Sequence, residues 1–247
     1  MSPFDFSNKQ ALVIGGSTGI GNAVAQSFRS AGAAVSVTGT RAGKSDYSSE
    51  DVSDLAGLSY SQLDLSDRRA IQDWKPDFNT LDALVICHAY ALFNGEEFDA
   101  EIFRKVVEVN LNSVFDCCQR FRGMLAQTGG AIVIVSSLAA YRTIPYQPAY
   151  TASKSALLGL VRALSMTYAK DNVRVNGLAP GLVETKMGRN AHPDYEELVR
   201  KTTRRIPAQR TGSPSEMAGP VLFLCSPLAS YIMGQTLIVD GGMSLTS

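Results

Sequence analysis

The stretch ALVIGGSTGIGNAVAQSF, residues 11–28, joins an apolar run, a glycine-rich turn and a segment with helical periodicity. Gly15, Gly19 and Gly21 form the pattern G-x-x-x-G-x-G at the end of the apolar run. Glycine permits tight turning and close approach of backbone N–H groups to a bound group, and a helix that begins there presents its positive end. The stretch therefore predicts a strand, a phosphate-binding turn and a helix, the first unit of a dinucleotide-binding α/β fold.

The rest of the chain continues this alternation of short β-rich runs and longer helical segments. The predicted strands are 10–16, 33–39, 58–65, 81–89, 130–137, 172–180 and 234–242, and the predicted helices are 19–31, 100–126, 150–169 and 214–226. Several strands are continuous apolar runs, which is typical of parallel strands covered on both faces. We therefore predict a single doubly wound Rossmann-type α/β domain over 1–247, with a mostly parallel sheet, helices on both faces and a polar lid at about 186–210.

The composition argues against several classes of function. Of the 247 residues, 45% are hydrophobic and 19% charged, and Lys+Arg and Asp+Glu are equal at 23 each. This balance gives no net field to attract nucleic acid or an anionic membrane, and no apolar run is long enough to span a bilayer. The first residues lack a secretory pattern, and the cysteines show no C-x-x-C spacing. We expect a cytoplasmic protein with buried reduced thiols, no metal site and a small-molecule partner.

A second informative stretch is YTASKSALLGLVRALSMTYAK, residues 150–170. Tyr150 and Lys154 lie one turn apart on a helix that is otherwise largely apolar. Free tyrosine ionises near pH ~10, but a neighbouring ammonium favours the phenolate and lowers that pKa. Ser137, at the end of a predicted strand, is placed to hydrogen-bond a substrate oxygen as charge develops there. We therefore expect Tyr150 to exchange a proton with an alcohol or carbonyl as hydride is transferred.

Taken together, these residues resemble the short-chain dehydrogenase/reductase family, classical type. The resemblance rests on the glycine-rich turn, Ser137, the Tyr150–Lys154 pair, Asn110 in VVEVNLNSVF, PGLVET at 180–185 and GQTLIVDGG at 234–242, which follow the family's order over almost the whole chain. It implies hydride transfer between a nicotinamide cofactor and a carbonyl or secondary alcohol. It also implies that Lys154 holds the nicotinamide ribose, that Asn110 supports a water relay to Lys154, and that helices 100–126 and 150–169 pair in homodimers or homotetramers.

The resemblance assigns site residues by position. The catalytic set is Ser137, Tyr150, Lys154 and Asn110, and the cofactor-binding set is Gly15, Ser17, Thr18, Gly19, Ile20, Gly21, Thr40, Arg41, Asp64, Leu65, Tyr150, Lys154, Pro180, Gly181, Val183 and Thr185. Asp64 matches the position that contacts the adenine in the family. Val183 and Thr185 match positions that orient the nicotinamide carboxamide.

The end of the second predicted strand bears on the choice of cofactor. It carries Gly39, where family members that prefer NAD usually have a carboxylate, and Arg41 follows shortly after. A guanidinium suits a 2′-phosphate, so we expect NADP(H) rather than NAD(H). Two alternatives stay open, an NAD-dependent alcohol dehydrogenase of the same family and a cofactor-binding regulatory protein with little turnover. A Rossmann-type methyltransferase is disfavoured because its cofactor has no phosphates for the glycine-rich turn to bind.

The sequence departs from the family pattern at two neighbouring strand ends. Ile14 stands where the family usually has Thr, and Ile86-Cys87-His88-Ala89 replaces Asn-Asn-Ala-Gly. Replacing both partners of a buried hydrogen bond by apolar residues destabilises a protein less than replacing one of them. We therefore hypothesise that Ile14 packs against Ile86 or Cys87 in place of a hydrogen bond between the two strand ends. We interpret His88 as structural rather than catalytic.

The substrate side carries weaker signals. We interpret the basic lid as a solvated helix, with the further hypothesis that Arg142 or a lid arginine meets an anionic substrate group. Tyr141, Tyr146 and Gln147 are expected to shape the mouth of the pocket.

Overall fold

A computed structural model describes residues 4–48, 51, 53–93, 95–190 and 194–246. Its strands are β1 (Gln10–Ile14), β2 (Ala34–Gly39), β3 (Ser59–Gln62), β4 (Ala83–Ile86), β5 (Ala131–Val135), β6 (Arg174–Pro180) and β7 (Thr236–Val239). They form a 7-stranded sheet in the order β3-β2-β1-β4-β5-β6-β7, with every pairing parallel. The strand order reverses between β1 and β4, and ligands of doubly wound sheets bind at the carboxyl ends of the strands at such a point.

Helices cover both faces of this sheet. They are α1 (Gly19–Ser30), α2 (Ala70–Asp73), α3 (Ala100–Val107), α4 (Ser113–Thr128), α5 (Pro148–Tyr168), α6 (Lys186–Asn190), α7 (Tyr195–Thr203) and α8 (Pro214–Cys225). Helices α1 and α8 pack on one face, and α4 and α5 pack on the other. The predicted doubly wound, parallel α/β fold is therefore confirmed. Within the described residues, no helix is both long and apolar enough to cross a membrane.

Alternating side chains of the strands feed two hydrophobic cores, one on each face. Val13 belongs to the core that contains Phe28 of α1, whereas its neighbours Leu12 and Ile14 belong to the core that contains Phe121 of α4. Successive side chains of a strand point to opposite faces, so an unbroken apolar run is buried on both sides. This is the physical reason that the β-rich runs of the sequence contain few polar residues.

The segment predicted as one helix over 100–126 is divided in the structure. A five-residue π-helical turn, Glu108–Asn112, separates α3 from α4 and contains the buried Asn110. Such turns insert a residue into the helical ladder and are frequent at functional sites. The predicted lid segment 186–210 contains helices α6 and α7, apart from residues 191–193, which lie outside the described part of the chain.

The strand ends at which the sequence departs from the family pattern lie side by side. Ile14 and Ile86 are register partners on β1 and β4, and the backbone N–H of Cys87 donates to the carbonyl of Ile14 at 2.8 Å. Both isoleucines are fully buried in the same core, whereas Cys87 packs against the opposite core. The hypothesis that Ile14 packs against Ile86 is confirmed.

Candidate active site

A cleft of about 430 Å³ opens along the carboxyl ends of β1, β2, β4, β5 and β6. It is lined by Gly15, Ser17, Thr18, Gly19, Ile20, Gly21, Gly39, Thr40, Cys87, His88, Ala89, Ala91, Phe93, Val135, Ser136, Ser137, Ile144, Gln147, Tyr150, Lys154, Pro180, Gly181, Leu182, Val183, Thr185, Lys186, Met187 and Gly188. The cleft therefore unites the glycine-rich turn, three of the four predicted catalytic residues and the PGLVET stretch.

The glycine-rich turn is built for close backbone approach. Gly15 has a left-handed backbone, with φ of +74°, and a side chain on it would strike the backbone of His88. A side chain on Gly21 would strike the carbonyl of Gly15, so the two glycines pass in direct contact. Helix α1 begins at Gly19 behind this turn and directs its N-terminal N–H groups into the cleft. This arrangement fits a pyrophosphate, which helix N-termini bind through N–H groups and the helix dipole.

Tyr150, Ser137 and Lys154 meet at the inner end of the cleft. Ser137 follows β5, and its hydroxyl is a hydrogen-bond partner of the Tyr150 phenol. Lys154 is 2% exposed, and its Nζ donates to the carbonyl of Val135 at 3.0 Å. The hydroxyl of Ser136 donates to the Lys154 carbonyl at 2.9 Å, which ties α5 to the end of β5.

The pKa values in this cluster are governed mainly by burial. Burial raises the pKa of Tyr150 above its ordinary value; the hydrogen bond from Ser137 opposes this rise, and the charge of Glu97 adds to it. Burial also lowers the pKa of Lys154 to about 8. The expected lowering of the tyrosine pKa by Lys154 is therefore not found, because the ammonium bonds to Val135 with its nitrogen 5.7 Å from the Tyr150 ring centre.

Asn110 lies behind the cleft and does not line it. Its side-chain oxygen accepts from the N–H of Tyr90 at 2.7 Å, and its amide nitrogen donates to the carbonyl of Tyr90 at 2.8 Å. The same nitrogen contacts the hydroxyl of Ser153 on α5 at 3.2 Å. Asn110 thus joins the π-helical turn to the segment after β4 and to α5, and its role in a water relay stays a prediction.

His88 bridges the end of β4 and the π-helical turn. Its Nε2 lies 2.9 Å from the carbonyl of Val109 and 2.8 Å from the hydroxyl of Ser113, which itself donates to Val109. Nε2 must therefore carry the proton, and burial with the nearby charge of Lys154 lowers the pKa of His88 to about 4. These contacts support the structural interpretation of His88, although its Nδ1 is buried without a hydrogen-bond partner among the described residues.

Arg41 is not among the residues that line the cleft and lies in an ion-pair cluster beside it. Its guanidinium binds both carboxylate oxygens of Asp51, at 2.6 and 2.9 Å, and stacks over the ring of Tyr47. Lys186 of α6 binds the same carboxylate at 2.5 Å, and Asp51 is 2% exposed. The phenol of Tyr47 and the hydroxyl of Ser17 occupy the space in front of Gly39, so both would have to shift before that position could carry a carboxylate side chain.

Several predicted residues do not line the cleft. Asp64 is exposed and accepts from the N–H of Ser66 at 2.9 Å, and Leu65 is buried in the core. Arg142 donates to the carbonyl of Met243 at 2.5 Å, so its guanidinium is engaged by the C-terminal segment.

The predicted pocket mouth is formed by a different set of side chains. Gln147 lines the cleft, whereas Tyr141 and Tyr146 are not among its lining residues. The structure instead places apolar side chains there that sequence reasoning missed, namely Ala91, Phe93, Ile144, Leu182 and Met187. Met187 lies in the short helix α6 and the other four lie in loops, so no periodic pattern in the sequence marks them.

Comparisons with known proteins agree with this geometry. A family model described as enoyl-(acyl carrier protein) reductase matches residues 15–244. A 3-oxoacyl-(acyl-carrier-protein) reductase of Chlamydia trachomatis is 34% identical over 248 residues, covering 96% of this chain and 98% of that protein. A 3alpha-hydroxysteroid dehydrogenase of Mediterraneibacter gnavus is 35% identical over 246 residues, covering 95% of this chain and 96% of that protein.

A solved structure extends the match to three dimensions. It is described as a candidate NAD(P)-dependent gluconate 5-dehydrogenase from Beutenbergia cavernae with NADP bound at low occupancy. It superposes with a TM-score of 0.87 at 33% identity and covers 99% of this chain and 100% of its own. The matching family model, relatives and fold show that the chain belongs to the short-chain dehydrogenase/reductase family of oxidoreductases, classical type.

Proposed function

We propose that this protein transfers hydride between NADP(H) and the carbonyl or secondary alcohol group of a small molecule. The observation that carries the proposal is the convergence of Ser137, Tyr150 and Lys154 in the cleft that also holds the glycine-rich turn. A protein that only bound the cofactor would need the turn but not the phenol beside a serine and a buried lysine. This residue set therefore also argues against the regulatory alternative.

The protein's own groups perform the proton chemistry. The nicotinamide, when bound, supplies or accepts the hydride. Tyr150 donates a proton to the carbonyl oxygen in reduction and accepts it from the alcohol in oxidation. Ser137 hydrogen-bonds the same oxygen as charge develops on it. Lys154, which is charged below its pKa of about 8 and lies one turn along α5 from Tyr150, would hold the nicotinamide ribose.

The preference for NADP(H) rests on two cations, one in the cleft lining and one beside it. Arg41 and Lys186 converge on a single anionic group, the carboxylate of Asp51. A 2′-phosphate offers more charge and more acceptor oxygens than a carboxylate, so it can compete for the guanidinium of Arg41. The NADP bound to the Beutenbergia structure belongs to that protein, but it is consistent with this assignment.

One observation favours a second candidate, an NAD-dependent alcohol dehydrogenase. The guanidinium of Arg41 is already bound by both oxygens of Asp51, and the Asp51 carboxylate would have to be displaced before a phosphate gained the full interaction. If Asp51 keeps Arg41, the cofactor without a 2′-phosphate binds at least as well.

The substrate is proposed at the level of the reacting group. The names of the relatives refer to an acyl chain, a steroid and a sugar acid, so they share the carbonyl–alcohol pair and little else. The cleft wall at Ala91, Phe93, Ile144 and Met187 is apolar. We therefore propose a substrate whose reacting carbon has an uncharged, largely apolar neighbourhood. We also propose that the protein is a cytoplasmic homodimer or homotetramer.

The experiment that tests the cofactor assignment is fluorescence titration of the purified protein with NADPH and, separately, with NADH. The proposal predicts tighter binding of NADPH, by about tenfold. Tighter binding of NADH would establish the second candidate. Binding of neither would overturn the assignment of the cleft as a nicotinamide cofactor site.

A further inference from the structure

Glu97 is a fully buried carboxylate outside the predicted catalytic set. It lies in the one-turn helical segment Glu96–Phe98 and is 0% exposed. Its Oε2 accepts from the backbone N–H of Tyr150 at 2.9 Å, and its Oε1 accepts from the N–H of Leu92 at 3.2 Å. Within the described part of the chain, no lysine or arginine forms a salt bridge with Glu97. Burying a carboxylate is costly unless it is hydrogen-bonded or paired with a cation. The presence of a buried carboxylate without a salt bridge therefore calls for a role.

The partner on α5 is a group that the helix cannot satisfy by itself. The first N–H groups of a helix have no carbonyl within the helix to bond to. Helix α5 starts at Pro148, which has no N–H, and Gln147 before it makes no side-chain cap bond to the helix. Glu97 supplies the missing acceptor from a distant segment, and its negative charge lies favourably at the positive end of the helix.

The second partner ties this helix end to the substrate side of the cleft. The backbone of Leu92 makes two hydrogen bonds here. Its N–H donates to Glu97, and its carbonyl accepts from the side-chain amide of Gln147 at 3.2 Å. The neighbours of Leu92 in the chain, Ala91 and Phe93, line the cleft. One carboxylate therefore sets the spacing between the backbone of Tyr150 and the apolar wall.

We propose that Glu97 is a positioning residue for the acid/base tyrosine, holding Tyr150 at a fixed distance from the substrate wall and tuning its phenol by a buried negative charge. This inference rests on the proposed function, since it assigns Tyr150 the proton transfer. Proton transfer requires the phenol within hydrogen-bond reach of the substrate oxygen, so a small shift of α5 is costly.

Few groups besides Glu97 shift the pKa of the Tyr150 phenol. The charge of Glu97 raises the pKa of Tyr150 in addition to the larger effect of burial, while Ser137 lowers it. Lys154 lies one turn further along the same helix, with its Nζ 5.7 Å from the ring centre.

Two further titratable groups, Cys87 and His88, line the same cleft at the end of β4. Burial raises the pKa of the Cys87 thiol to about 12 and lowers the pKa of His88 to about 4. Both are therefore uncharged over the neutral range, and Glu97 is the charged group among those that shift the pKa of Tyr150.

The test compares Glu97→Gln with Glu96→Gln, which removes the same charge from the exposed neighbouring side chain. Glutamine has a single acceptor oxygen, so it retains at most one of the two backbone bonds. We expect kcat of Glu97→Gln to fall about tenfold while the Kd for NADPH stays within about twofold. The acidic limb of the alcohol-oxidation rate should move to lower pH, since removing the negative charge lowers the tyrosine pKa. Glu96→Gln should match the wild type in all three measurements.

A second variant separates position from charge. Glu97→Asp keeps the charge on a shorter side chain, so kcat should fall without the shift in the pH profile. Wild-type kcat and pH profile in Glu97→Gln would overturn the proposal, and so would a pH shift in Glu97→Asp equal to that in Glu97→Gln.

Hydrogen exchange distinguishes failure of this inference from failure of the proposed function. If the wild type turns over no carbonyl or alcohol, the proposed function fails, but the amides of Tyr150 and Leu92 still report the tether. Their exchange in Glu97→Gln should accelerate by about tenfold relative to Glu96→Gln. Equal exchange in the two variants would overturn the inference whatever the activity.

Discussion

Lys154 carries an ammonium that is almost completely removed from water. Burial lowers its pKa to about 8 from an ordinary value of 10.5. Between these pH values the unfolded chain binds more protons at this side chain than the folded chain does. The contribution of Lys154 to the free energy of unfolding therefore rises as pH increases through this window.

Lys154→Met tests this linkage. The free energy of unfolding of the wild type minus that of the variant should rise by on the order of 1–2 kcal/mol between about pH 7.5 and about pH 9.5. Denaturant titrations of both proteins without cofactor at each pH give the difference. A difference that stays constant with pH would show that Lys154 titrates normally.

Asp51 is the residue on which the cofactor preference depends in our account. Asp51→Asn leaves Arg41 and Lys186 without their shared anion, so the ratio of the NADH Kd to the NADPH Kd should rise about tenfold. Asp73→Asn, at an exposed position on α2, removes an equal charge and should leave the ratio unchanged. An unchanged or lower ratio in Asp51→Asn would exclude Arg41 as a ligand of the 2′-phosphate.

At this scale the sequence predicted residue types better than their partners. The Tyr150–Lys154 spacing and the glycine pattern are local, so they could be recognised without a structure. The pairing of Arg41 with Asp51 and the hydrogen bond that Glu97 accepts from the backbone of Tyr150 depend on how distant segments fold together. A guanidinium has no local preference between a carboxylate and a phosphate, so Arg41 alone could not settle the cofactor.

At the scale of secondary-structure elements, the contact between β1 and β4 differs from the family pattern at Ile14 and Ile86. Ile14→Thr and Ile86→Asn should each destabilise the fold, the second by about 2–4 kcal/mol, because a polar group is buried without a partner. The double variant should lose about 1 kcal/mol less free energy of unfolding than the sum of the losses in the two single variants, because the new hydroxyl and amide can hydrogen-bond to each other.

Ile134 provides the control for this double-mutant cycle. It is fully buried in the same core and pairs with Ile86, on the side of β4 away from β1. Ile14→Thr combined with Ile134→Asn should therefore be additive. Additivity in the Ile14/Ile86 cycle as well would contradict the idea that these two positions replaced a hydrogen bond between the two strand ends.

The order of elements was predictable because each strand is apolar on both faces and each long helix has its own periodicity. The division of 100–126 by the π-helical turn at Glu108–Asn112 was not predicted, because one inserted residue hardly disturbs an apolar pattern of that length. The lid was predicted as a solvated helix, but its division into α6 and α7 was not predicted, because α7 is short and strongly charged and depends on contacts with the rest of the fold.

For the whole molecule, the sequence resemblance predicted self-association through α4 and α5. Exposed large apolar side chains include Phe115 on α4 at 41% and Met166 on α5 at 83%. Association would bury this surface. Light scattering at micromolar concentration should therefore give a mass of two or four times 26.5 kDa, and Phe115→Asp should lower it. A wild-type mass of one chain would contradict the prediction.

The central claim is that Tyr150 performs acid/base chemistry during hydride transfer in the described cleft. Its most direct test is oxidation of NADPH and NADH by the wild type and Tyr150→Phe with a panel of apolar ketones and aldehydes, with Tyr231→Phe as a fully exposed control. We expect turnover by the wild type and the control, and a loss of at least about a thousandfold in Tyr150→Phe with the cofactor Kd within about twofold. Wild-type turnover in Tyr150→Phe would contradict the account.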